Sequence, residues 1–328
     1  MSIPKSKHFQ LQRLADGVYA AVAAEEGYAI CNAGIVDTGD RTVVFDTFIS
    51  PDPAEDLLRA AKRLTPQNAI RVVNSHYHND HIRGNQVFPP DVDILSTATT
   101  LEGIAHKEPE EIKWEKENIP KAIVDTKSKL RLEKDPKRRR ELVLSIVYYE
   151  AIMKSLPKLK TRLPNITFEG DLMMHGTRRQ VELLSLSGHT ASDLVLYLPG
   201  EKIVFMGDLL FVNMHPYLVG GSPERWRKSL RKIGKLGVQT LVPGHGPVGK
   251  PSDLSLVDQY IQTLESIARN MVKMGKSPEA VSLQPVPPPF DNWYSPLEGT
   301  FAVNLDFLYK YANQEAQRAH WTAKLTST

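Results

Sequence analysis

From Phe9 to Phe48 the apolar positions come in short runs broken by polar turns: Gly17–Val22, Tyr28–Val36 and, after the turn signal Asp37-Thr38-Gly39-Asp40, Thr42–Thr47. Such runs predict strands joined as a β meander. Between Pro53 and Leu64 the spacing becomes helical, with Leu57, Leu58, Ala61 and Leu64 on one side and Asp52 available as N-cap. Ala69–Asn74 returns to strand, and Val92–Ser96 is another. Leu101–Leu163 has almost no alternation and reads as two or three helices, with Leu142, Ile146, Tyr149, Ile152, Met153 and Leu156 forming a stripe that packs on the main body. Strands resume over Ile166–Phe168, Met173–His175, Val181–Leu186, Leu194–Leu198, Ile203–Met206 and Thr240–Val242, with helices over Pro223–Leu236, capped by Ser222, and Asp253–Met274. The prolines of Gln284–Pro296 predict an extended crossing, and Leu297–Arg318 a terminal helix facing inward through Phe301, Leu305, Leu308 and Tyr309. The chain therefore divides as one α/β domain, 1–328, with a helical insertion at 101–165 and a proline-rich crossing plus C-terminal helix at 284–328.

Composition adds little to this picture except in three places. The formal net charge is +3. The excess sits in the insertion, where 16 Lys and Arg face 11 Asp and Glu, centred on Lys134–Arg140. A solvated helical face is the usual meaning of such a run, and a patch for anions or nucleic acid is the alternative. Cys31 is the single cysteine, which excludes an intrachain disulfide and a thiolate cluster. Its small apolar neighbours suggest a buried side chain. No run has the length of a membrane span, and the basic segment Met1–His8 is not followed by the apolar core of a secretory signal, so the cytoplasm is the expected compartment.

Candidate chemistry concentrates in one stretch, Ser75–Val87, directly after the strand at Ala69–Asn74. His76, His78, Asp80 and His81 fall within six positions in a chain that has only 10 histidines. His76 and His78 share one side of an extended chain. Asp80 and His81 are adjacent and diverge, which suits two neighbouring ions. Three later strands each end in a glycine-containing turn with one potential ligand: Gly188-His189-Thr190, Gly207-Asp208 and Gly244-His245-Gly246. Together these loops would give His76, His78 and His189 to one metal and Asp80, His81 and His245 to the other, with Asp208 bridging. Histidine and carboxylate without thiolate suits zinc, with iron or manganese as alternatives.

This set of motifs, with Asp46 at the end of an early strand as the first, resembles the metallo-β-lactamase fold superfamily from about Val18 to Val248. The resemblance implies a four-layer αββα sandwich, here with an all-helical insertion, and a dinuclear site at one edge. Asp208 is similar to the bridging ligand of hydroxyacylglutathione hydrolases, lactonases and phosphodiesterases, where true β-lactamases carry cysteine or serine. Flavodiiron members place an acidic residue where His78 stands.

The expected activity is that of a dizinc hydrolase using a metal-bridged hydroxide on a small ester-like molecule: a thioester, a lactone or a related carbonyl compound. Asp80 would be both ligand and proton carrier, Asp46 would fix a ligand histidine, and His215 would reach the pocket mouth or serve only its loop. The alternatives are a phosphodiesterase or nuclease using the basic insertion, and a mononuclear iron dioxygenase. The expected partner is a small-molecule substrate rather than nucleic acid or membrane, and the insertion and the proline-rich tail are the candidate homodimer contacts.

Overall fold

The computed structural model describes residues 3–66, 69–295 and 297–326, with the side chains of 282 and 318–326 outside the description. Pro296 in the expected crossing and residues 327–328 of the C-terminal unit thus lie outside the described residues. The chain runs β1 (Phe9–Ala15), β2 (Val18–Ala23), β3 (Ala33–Asp37), β4 (Thr42–Phe45), α1 (Pro51–Leu64), β5 (Ile70–Val73), α2 (Asn79–Ile82), β6 (Asp93–Thr97), α3 (Ala98–Leu132), α4 (Pro136–Ser155) and β7 (Ile166–Phe168). The second half has β8 (Leu172–His175), β9 (Gln180–Leu186), β10 (Asp193–Leu198), β11 (Ile203–Phe205), α5 (Pro223–Gly234), β12 (Thr240–Val242), α6 (Pro251–Lys273), α7 (Pro278–Ser282) and α8 (Thr300–Thr326). The described strands form a seven-stranded sheet in sequence order β1 to β7 and a five-stranded sheet in the order β12-β11-β10-β9-β8.

The period-two pattern of the strands decides which face each residue serves. In β4, Val43 and Phe45 point into the layer between the sheets, and Val44 points outward under α1. In β10, Leu194, Leu196 and Leu198 enter the same inner layer, opposed by Val195 and Tyr197 beneath the helices of the second half. The result is four layers, helix, sheet, sheet, helix. The two sheets approach closely at Gly34, where a Cβ would press on the Phe205 ring at 2.6 Å. No helix among the described residues is long and apolar enough to cross a membrane.

Two boundaries differ from expectation for identifiable reasons. Helix α1 starts at Pro51 with Ser50 in the N-cap position rather than at Pro53 behind Asp52; proline suits the first helical turn because its missing N–H is unpaired there anyway. The apolar run from Tyr28 is not one strand. Pairing begins only at Ala33, because Ile30 takes φ 71° and the chain bends to bring Asn32 against the far sheet.

Strands β6 and β7 are parallel neighbours, so a crossover has to join them. The helical hairpin α3–α4 is that crossover. It opens at Thr97, whose side chain accepts from the Thr100 N–H, and Ile119, Ala151, Ile152 and Leu156 bury its contact with Ile49. Its basic run is largely engaged within the molecule. Lys137 donates to the Asp291 carbonyl at 2.7 Å, Arg139 to the carbonyls of Leu130 and Glu133 at 2.9 and 2.7 Å, and Arg140 pairs with Glu25 and lies 4.0 Å over the Tyr294 ring.

Candidate metal centre

Four loops at the carboxyl ends of β5, β9, β11 and β12 bring His76, His78, Asp80, His81, His189, Asp208 and His245 together. The motif after β5 turns at once into α2, with His78 as its N-cap, so His81 comes round one turn later. Asn74 and Asn85 lock this turn by exchanging amide hydrogen bonds of 3.1 and 2.8 Å.

The donor atoms fall into two groups that meet at Asp208. In the first, His78 Nδ1 lies 3.1 Å from His76 Nε2 and 2.9 Å from His189 Nε2, and Asp208 Oδ2 lies 3.3 Å from His189 Nε2. In the second, Asp208 Oδ1 lies 3.1 Å from His81 Nε2 and 3.3 Å from His245 Nε2, with Asp80 Oδ2 3.3 Å from His245 Nε2. A tetrahedral ion with bonds of about 2.0–2.1 Å separates its ligand atoms by roughly 3.3 Å. Separations from 2.9 to 3.9 Å within the two groups bracket that spacing.

The outer nitrogens explain which atoms face inward. His81 Nδ1 is held by Asp46 Oδ2 at 2.8 Å, His76 Nδ1 by Ser75 Oγ at 2.9 Å, and His189 Nδ1 by the Tyr217 carbonyl at 3.1 Å. In a neutral ring held this way the Nε2 lone pair is turned toward the centre. Asp46 itself is fully buried at φ 60° and also accepts from the Ser75 N–H at 2.7 Å. Burial, followed by the neighbouring imidazoles, holds His76 far below the usual histidine range and His78 down at about 3. These rings are neutral, as ligands must be. Burial disfavours the charged form of His245 too, but Asp208 and Asp80 overcome it and push the ring up to about 9. Protons and divalent cations therefore compete for the second group.

Two buried atoms test whether a cation fits. His81 Nε2 and Asp208 Oδ1 have no hydrogen-bond partner although they face each other across 3.1 Å. Unpartnered polar atoms are costly in the interior, and a metal ion would satisfy both. The residues present fit such a group.

The structure places His215 elsewhere. It is buried among Tyr260, Trp293 and Phe301, and the same burial, with Lys137 adding, pulls it down to about 4. It lies behind the cavity wall, because Met214 and Tyr217 on either side take the positions that face inward. Conversely, three residues outside the motifs support the site. Asn32 donates to the carbonyls of Pro243 and Gly246 at 2.9 and 2.8 Å and so holds the His245 loop. Asp193 accepts from the N–H groups of His189 and Thr190, at 3.1 Å each, and holds the His189 loop. Cys31 is not a free-standing packing residue: its thiol, pushed up to about 12 by burial, donates to the Asp80 carbonyl at 2.8 Å, directly behind the second group.

With this geometry in view, the family model of the metallo-beta-lactamase superfamily matches residues 27–245. The chain belongs to that superfamily. A beta-lactamase-like protein 2 homolog from Caenorhabditis elegans is 30% identical over 109 residues, 31% of this chain and 34% of that protein. A hydroxyacylglutathione hydrolase from Brucella anthropi is 29% identical over 145 residues, 41% of this chain and 55% of that protein. The chain thus spans only part of the length of these relatives. A solved metallo-beta-lactamase from Pontibacter korlensis superposes with a TM-score of 0.56 at 19% identity, over 77% of this chain and 99% of that one, a likeness of fold. Members of the superfamily are metallo-hydrolases, and the His and Asp clusters here have the make-up of a metal site.

Proposed function

We propose that this chain is a hydrolase that holds two divalent ions, zinc first among them, and opens a small carbonyl ester, thioester or lactone. The observation that carries this reading is the division of Asp208: one carboxylate oxygen faces His189 and the other faces His81 and His245, so a single residue joins two donor groups. When bound, such ions supply Lewis acidity toward the substrate carbonyl and bring the pKa of water down to about 7.

The protein's own groups do the rest. Asp46, Ser75 and the Tyr217 carbonyl keep the imidazoles in the required tautomer and orientation. Asp80, with Oδ2 beside His245 and His81, is placed to carry a proton at the edge of the cavity. The cavity has a volume of about 440 Å³ and reaches His78, Asp80, His189, Asp208 and His245. Its outer wall sets Ile30, Leu144, Val147, Met214 and Leu297 beside the charged Glu25, Lys107 and Glu111, two carboxyls to one ammonium. That wall supports a neutral carbonyl compound over a polyanion, and the Lys134–Arg140 run is absent from its described lining residues. The relative named as a hydroxyacylglutathione hydrolase is named for a thioester, one of the bond types proposed here.

The test is metal-loaded protein assayed on thioesters, lactones, aryl esters, β-lactams and phosphodiesters, with metal content measured alongside. Two ions per chain and turnover of the carbonyl substrates are expected, falling to background with loss of metal in Asp208→Ala. One iron per chain, or preference for phosphodiesters, would overturn the reading.

A further inference from the structure

The hairpin α3–α4 does more than wall the cavity. Glu108, Glu111 and Glu115 lie at i, i+3 and i+7 on α3, so all three face the metal-binding motif. Glu108 and Glu115 are both buried and both bonded to the buried guanidinium of Arg83, at 2.7 and 2.8 Å. Glu111 is not. Its Oε1 accepts from the side-chain amide of Asn79 at 2.9 Å, and that amide also donates to Glu115 at 3.0 Å. Asn79 stands between His78 and Asp80, so Glu111 reaches the edge of the site and lines the same cavity as those two residues.

Charge balance singles out this carboxyl. One guanidinium serves three glutamates, and its bonds go to the other two. The groups facing Glu111 are Lys107, Glu108 and Glu115 on its own helix, Asp80 on α2, Arg83 just beyond α2, Tyr148 on α4, and Tyr77 and Tyr217 from the loops. Lys107 is turned to the Tyr77 hydroxyl at 2.6 Å. Burial pushes the Glu111 carboxyl up to about 7; Arg83 opposes the rise, and Glu108, Glu115 and Asp80 add to it. A carboxyl that faces a substrate cavity and keeps its proton near neutrality is placed to give that proton away.

We propose that Glu111 is the acid that protonates the departing oxygen or sulfur of the substrate, a catalytic group supplied by the helical hairpin. In this step the oxygen of a water molecule bonds to the carbonyl carbon and the bond to the leaving atom breaks. The electron pair of that bond stays on the leaving atom, which takes the proton of Glu111. The proton lost by the water passes through solvent and restores the acid, leaving a carboxylic acid and an alcohol or thiol.

This inference rests on the hydrolase reading, so zinc-loaded wild type is first assayed on an aryl ester, whose leaving group needs no acid. No turnover at full metal loading would overturn both claims. The decisive comparison is Glu111→Gln, which keeps the oxygen bonded by Asn79, on the aryl ester and on an alkyl ester or lactone across pH. The expected result is a loss of about 10²-fold or more in kcat on the alkyl substrate, disappearance of the fall in rate on the alkaline side of neutrality, and little change on the aryl ester or in metal content. Equal rates on the alkyl substrate, or equal losses on both substrates with an unchanged pH profile, would overturn the role of Glu111 alone. Should Glu111→Gln not fold, Glu111→Asp decides: it should keep the alkaline fall while losing rate on the alkyl substrate, and a profile without that fall would overturn the proposal.

Discussion

A methyl group at position 244 would have to share space with Asp208. The ideal Cβ built on Gly244 meets Oδ1 of that carboxylate and the backbone of Gly207, so the backbone beside His245 runs directly against the residue that joins the two donor groups. Gly244→Ala should therefore strip metal without altering any ligand. We expect the purified variant to hold less than half the metal of wild type by elemental analysis and to lose hydrolytic activity in proportion; full occupancy would show that Asp208 can move aside and still bind. Asp46→Asn probes the same centre from outside. An amide cannot accept from both the Ser75 N–H and His81 Nδ1–H as the carboxylate does, and loss of such a supporting bond weakens metal binding by about 10- to 100-fold, measurable by competition with a chromogenic chelator. The seven candidate ligands were legible because they cluster or stand beside glycine at strand ends. Asn32 was not, since an asparagine's bond to a carbonyl 211 positions away leaves no local trace, whereas Asp193 was missed although its bonds reach back only three and four positions to the His189 loop.

At the scale of elements, the stretch with the least periodic sequence signal proved the most consequential. The composition of residues 101–163 predicts helices, and α3 and α4 are there. What spacing does not disclose is that Arg83, apparently a flanking residue of the motif, would be clamped by Glu108 and Glu115 from a helix that begins 15 positions later. The pairing is fully buried, so removing one partner strands charge in the interior, at a cost of about 3–5 kcal/mol. Arg83→Met should lower stability by that order in urea unfolding of the metal-free protein at pH 7.5. The pH dependence fixes the sign. Burial already raises Glu108 above its ordinary value even with Arg83 opposing, and without the guanidinium it would rise further. A carboxyl with a raised folded-state pKa contributes stability below its unfolded value, about 4.3, and loses it as pH climbs through the folded value. The penalty of Arg83→Met should accordingly be largest near pH 8 and shrink toward pH 5. A penalty independent of pH would mean that lost packing, not stranded charge, is its cause.

Across the whole molecule, the site lies where two separately built halves meet. The first sheet supplies His76, His78, Asp80 and His81 after β5, and the second supplies His189, Asp208 and His245 after β9, β11 and β12. Among the described residues, polar bonds that tie the two around the centre include Leu194 N–H to the Ser75 carbonyl at 2.8 Å, Thr97 to Ser192 at 2.7 Å, and the Asn32 bonds to the His245 loop. The inner layer is built on a cluster of buried apolar side chains, as are the layers under α1 and the second-half helices, and the burial that drives their folding does not depend on ions. Ions at the centre would act as cross-links between halves that are already formed. They stabilise by binding the native state alone, which amounts to about 2.7 kcal/mol at a hundredfold excess over Kd and about 4.1 kcal/mol at a thousandfold excess. For a chain of this size that corresponds to a shift in Tm of roughly 4–6 °C. Chelation should lower Tm by that amount, with the far-UV circular dichroism unchanged, and zinc should restore it in a concentration-dependent way up to two equivalents. In Asp208→Ala the same titration should move Tm much less, because the residue shared by both donor groups is gone. Collapse of the far-UV signal on chelation would mean that the ions organise the fold itself, and an unmoved Tm in wild type would remove the cross-link altogether.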